Sequence, residues 1–121
     1  DAPMANRTIK FYKHYFNHFF AEQTPQVRKK IAQTLVWIQE VDRLPVHLFQ
    51  NIEGVNGLFE IRIEFGGNIF RIFCCFDKGN LVVLFNAFQK KTQKTPRREI
   101  EKARKLMTEY FNENDDENDQ K

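Results

Sequence analysis

Residues 59–76 read FEIRIEFGGNIFRIFCCF, and no other stretch narrows the fold as much. Phe59, Ile61, Ile63 and Phe65 alternate with Glu60, Arg62 and Glu64. A period of two marks a strand with one face buried. Gly66-Gly67 supplies a two-residue turn, because the favoured hairpin turns need positive φ. Ile69–Phe76 is almost wholly apolar, as a central strand would be. Asp77-Lys78-Gly79-Asn80 reads as a second turn, and Leu81–Phe88 as a third strand.

The tight first turn has an electrostatic consequence. It pairs Phe65 with Asn68, and so sets Arg62 directly opposite Arg71. Like charges facing each other across strands destabilise a sheet. A second turn centred on Lys78-Gly79 would set Arg71 opposite Asn86, with Lys90 and Lys91 just beyond the strand end. Such a row is stable only if something negative neutralises it. A phosphate suits guanidinium groups, which bind it through two parallel hydrogen bonds. Local acids are the other solution, since Glu60 and Glu64 share a face with Arg62. A bulge at the glycines would separate the two arginines instead.

Around this meander the pattern is helical. TIKFY (8–12) reads as a short first strand. Tyr12, Tyr15, Phe16, Phe19 and Phe20 then recur at helical spacing. Thr24-Pro25 is a helix start, with Val27, Ile31, Leu35, Ile38 and Val41 as its apolar stripe. Residues 46–57 read as an irregular connection. Thr95-Pro96 starts a last helix, with Ile100, Ala103, Met107 and Tyr110/Phe111 facing inward. The expected fold is α+β: an N-terminal helical hairpin packed on a small antiparallel sheet, plus a C-terminal helix. One domain covers residues 1–112, and the acidic tail 113–121 is expected to lack order.

Composition limits the function classes. The chain has 121 residues, 41% of them hydrophobic, which suits one packed domain. No run approaches the roughly 18 apolar residues of a membrane span, and Asp1–Thr8 has no apolar signal region. Cys74 and Cys75 are adjacent, poorly placed to bond each other, and read as core residues in a reducing, cytoplasmic setting. The net charge of +3 conceals an asymmetry. Residues 88–105 hold eight bases against two acids. A cluster of one sign points to a polyanionic partner, nucleic acid or acidic protein.

The segments GLFEIR, GGNIFRIF and FQKKTQKTP together resemble the RelE/HigB toxin superfamily, nearest its phage-derived HigB-like branch. The resemblance runs from about Arg7 to Phe111. It implies two N-terminal helices on a small antiparallel sheet. It also implies the toxin of a type II toxin–antitoxin pair, a ribosome-dependent endoribonuclease (an mRNA interferase). There the substrate's 2′-OH attacks the adjacent phosphodiester, without metal or cofactor. By this resemblance Arg71 contacts the scissile phosphate, and Arg62 binds or polarises the RNA. Lys90 or Lys91 stabilises the transition state or protonates the leaving oxygen, while Asn86, Lys94, Arg97 and Arg98 contact RNA. The implied partners are the ribosome with its mRNA, and a helix-turn-helix, HigA-like antitoxin through which operator DNA is bound.

Some positions depart from that pattern. The Tyr or His that some members carry near the C-terminus has no counterpart before Tyr110. His47 is a candidate acid or base, its ordinary pKa lying near ~6.5, or else a surface loop residue. His14 and His18 have the spacing of two metal ligands on a helix, but no third is evident and no metal is expected. Two other functions fit the same scaffold: a ParE-like gyrase inhibitor, and a non-catalytic antitoxin-binding module.

Overall fold

The computed structural model describes residues 6–91 and 93–119; residues 1–5, 92, 120 and 121 lie outside it. The elements run β1 (Thr8–Phe11), α1 (Tyr15–Ala21), α2 (Pro25–Glu40), β2 (Phe49–Asn51), β3 (Phe59–Phe65), β4 (Asn68–Asp77), β5 (Leu81–Lys90) and α3 (Arg97–Asp119). The five strands form one sheet in the order β1-β5-β4-β3-β2. β3, β4 and β5 are the antiparallel meander that alternation demanded. Two edge strands were not anticipated as partners. β1 pairs with β5 in parallel, Thr8 opposite Leu81. The short β2, within the stretch read as irregular, pairs with β3.

Three layers result. Phe16, Ile31, Leu35 and Ile38 of the helical hairpin pack on Ile61, Ile63, Phe70, Ile72 and Leu84. On the other face, Ala103, Leu106 and Tyr110 of α3 pack on Phe73, Cys75, Val83 and Phe85. Cys74 and Cys75 serve one core each, both buried and free. Burial holds both thiols well above the ordinary cysteine range, Cys75 at about 12. No helix among the described residues is long and apolar enough to cross a membrane.

Polar contacts fix the helix ends. Thr24 accepts a hydrogen bond from the Val27 amide at 3.3 Å, with Pro25 in the first turn. At the other end of α2, the Arg7 guanidinium donates to the carbonyls of Ile38, Val41 and Asp42, at 3.1, 2.6 and 2.9 Å. Carbonyls at a helix C-terminus have no partner within the helix, so a cation there stabilises them.

α3 continues to Asp119, through the acidic stretch set apart by composition. The first residues of that stretch are hydrogen-bonded to the rest of the fold. Tyr12 donates to Glu113 at 2.8 Å, and Tyr110 donates to Asp77 at 2.6 Å, with Asn114 on the same carboxylate at 3.4 Å. Burial first, then these acceptors, push both phenols up to about 12. Each phenol is therefore harder to ionise folded than unfolded. Their contribution to stability is intact below the ordinary value of 10 and is lost as pH rises through about 12. Tyr110→Phe is expected to cost about 1 kcal/mol at neutral pH, read from urea unfolding. The same change removes one late-ionising phenol from the ultraviolet titration; an unaltered titration would count against this contact.

Candidate functional site

The first hairpin forms as the glycines require. Gly66 and Gly67 have φ of +59° and +81°, Phe65 pairs with Asn68, and Arg62 stands directly opposite Arg71. The second half of the expected row does not form. The next turn uses three residues rather than two, since Asp77 pairs with Leu81. A bulge then sets Phe73 against both Phe85 and Asn86. Together these move the pairing by two residues, and Arg71 faces Phe88 instead of Asn86. Asn86 is buried beneath α3, where its side-chain amide donates to the carbonyl and carboxylate oxygens of Glu99, at 3.0 and 3.1 Å. Its amide ties the helix to the sheet and is not part of an exposed row.

Local acids neutralise the arginines. Arg71 is only 7% exposed and is ion-paired with the equally buried Glu60. Arg62, more accessible, pairs with Glu64, two residues along on the same strand face. Lys90 pairs with Ile69, which shares a face with Arg71 by alternation. Its field, with those of Arg71 and Arg62, reaches Glu60. Burial outweighs these three cations and holds the Glu60 carboxyl above its ordinary range. The cluster is thus Arg62, Arg71 and Lys90 around one sunken carboxylate.

Glu60 is the residue that the sequence reading left out of the site. Its position on the Arg62 face was legible, but its burial was not. Among the described residues, the buried polar side chains are Glu60, Arg71 and Asn86. Each keeps one atom without a protein partner: Glu60 Oε2, Arg71 Nε and Asn86 Oδ1. Buried polar atoms are seldom left so, and three on one sheet face mark a polar site inside an otherwise apolar layer.

The remaining candidates spread outward from this cluster. Lys91 and Lys94 are exposed on the connection from β5 to α3, and Arg97 and Arg98 are exposed on the first turn of α3. His47 lies apart from them, near Arg62, in an open groove between α2 and β3. His14 caps the N-terminus of α1 and His18 lies in its last turn; both are exposed, next to Lys13 and Tyr15, which contact Glu109 and Lys102 of α3.

The family described as phage derived protein Gp49-like (DUF891) matches residues 18–108. The chain belongs to that family. Gp49-like proteins are associated with the toxins of toxin–antitoxin systems. No curated protein matches the chain. The Gp49-like match spans α2, the whole meander and most of α3, and so includes every residue of the cation cluster.

The buried pair yields a stability test. Removing one member of a buried ion pair strands the other charge, at a cost of about 3–5 kcal/mol. Glu60→Ala and Arg71→Ala are each expected to fall in that range in chemical unfolding. The Glu60→Leu/Arg71→Met double variant should lose much less than the sum. Additive losses would mean that the two side chains do not interact.

Proposed function

We propose that this Gp49-like chain is the toxin of a type II toxin–antitoxin pair and a metal-independent endoribonuclease acting on mRNA in the ribosome. The carrying observation is the Arg62–Arg71–Lys90 cluster, three cations on one sheet face with a single buried carboxylate among them. Membership of a toxin-associated family and the resemblance to RelE/HigB toxins support the same reading.

The chemistry needs few protein groups. The 2′-hydroxyl gives its proton to water as its oxygen attacks phosphorus, the bond to the 5′-oxygen breaks, and a 2′,3′-cyclic phosphate and a 5′-hydroxyl result. Negative charge grows on the phosphate oxygens during attack. Fixed cations aimed at that charge lower the barrier. Arg62 is the guanidinium a phosphate meets first, because its present partner, Glu64, is exposed and readily exchanged. Arg71 lies deeper, held in one orientation by Glu60, and adds its field from below. Lys90 or Lys91 gives the proton to the departing 5′-oxygen. Lys94, Arg97 and Arg98 extend positive charge along the RNA backbone. A cognate antitoxin, HigA-like with a helix-turn-helix domain, would mask this surface and carry the pair to operator DNA.

Induction in cells followed by mapping of RNA 5′ ends tests the proposal. Cleavage within translated codons is expected. Arg62→Ala and Lys90→Ala should each lower the cleavage rate by about 10²–10³-fold, the usual loss for one charge-stabilising donor. Intact mRNA accompanied by a DNA-damage response would replace this reading with gyrase inhibition.

A further inference from the structure

The chain has one tryptophan, and it does not sit in the core. The buried stripe of α2 is Val27, Ile31, Leu35 and Ile38. Trp37 lies beside that stripe and is 40% exposed. An indole is usually covered, since it carries more apolar area than most side chains. Packing alone does not account for leaving it in water.

Its surroundings do. Trp37 lines an open groove of about 540 Å³, within the size range of small-ligand sites. Lys30 and Thr34 come to the same groove from α2, His47 from the connection before β2, and Arg62 and Glu64 from β3. The rim therefore carries Lys30 and Arg62 against one acid, which is itself engaged with Arg62. Arg62 belongs to both places: it lines the groove and faces Arg71 in the cation cluster. The groove and the proposed phosphate site thus meet at Arg62.

We infer that this groove binds one unstacked nucleotide of a single-stranded RNA, with the base on the Trp37 indole and its phosphate between Lys30 and Arg62. Aromatic platforms beside a cationic track are how proteins hold single strands, because every base has a face to stack. Thr34 and His47 offer hydrogen bonds to the base edge. Pro45, Leu48 and Ile63 also line the groove, and it is the two cations, Lys30 and Arg62, that favour a phosphate-bearing strand over an apolar protein partner. The inference deepens the RNA-cleaving reading and rests on it for the nature of the strand.

The single tryptophan is its own reporter. The full chain is titrated with a single-stranded oligoribonucleotide carrying 2′-O-methyl groups, which cannot be cut by 2′-OH attack. The expected result is saturable quenching of Trp37 fluorescence that weakens with salt, as phosphate contacts require. Lys30→Ala should lower the apparent affinity. Trp37→Ala should weaken binding of a labelled strand about 10- to 100-fold, the range for one stacked base. Its thermal unfolding should stay near the parent's, which guards against mere misfolding. Binding without quenching, or equal affinity in Trp37→Ala, overturns the groove. So does a Trp37 signal that follows addition of an antitoxin protein but not of RNA. Mapping of cellular RNA ends judges the nuclease separately. Quenching without cleavage keeps the groove and removes the nuclease, whereas undiminished cleavage by Trp37→Ala does the reverse.

Discussion

Two arginines facing each other across β3 and β4 are the constraint around which the site is built. A sheet interior cannot hold that repulsion uncompensated. Glu60 compensates from within the same layer, and Glu64 from the surface. The two solutions differ in kind. A buried ion pair contributes little net stability, because desolvation offsets attraction, yet it fixes geometry. An exposed pair fixes little and exchanges easily. One arginine is thereby locked and the other left available, although both arise from the same hairpin.

This division gives the fold's layers separate tasks. The helical hairpin closes one face with aliphatic and aromatic packing. α3 closes the other face only in part, over Phe73, Cys75, Val83 and Phe85. Beyond its N-terminus the sheet carries Arg62, Arg71 and Lys90 instead of further apolar cover. The basic connection from Lys90 to Arg98 lies next to that uncovered portion. Charge thus concentrates in one region, with Arg71 sunken and the cations from Lys91 to Arg98 exposed.

The parts legible in the sequence were those set by local chemistry. Gly66 and Gly67 dictate a turn, and the turn dictates that Arg62 meets Arg71. Thr24-Pro25 marks a helix start on its own. What depended on distant partners was hidden. β1 has a weak pattern and gains its place only by pairing with β5, more than seventy residues along. The three-residue loop and the bulge each add one residue to the β4–β5 register, and neither has a distinctive residue to announce it. Glu60 looked like any outward-facing acid, and its burial against Arg71 of β4 had no local signal. The acidic stretch after Phe111 reads as a poor helix, since acids disfavour a helix C-terminus, but Glu113 and Asn114 are held by Tyr12 and Asp77.

α3 is pinned along its length: Asn86 holds Glu99 near its start, Lys13 holds Glu109, Asp77 holds Tyr110 and Asn114, and Tyr12 holds Glu113. Glu99 and Tyr110 are separated by about 16 Å of helix axis, at about 1.5 Å per residue. A rod fastened at both ends of this span is held in register on the sheet. Its basic side chains therefore stand at set intervals from the arginine pair, like graduations on a rule. A partner that touches both must match that spacing.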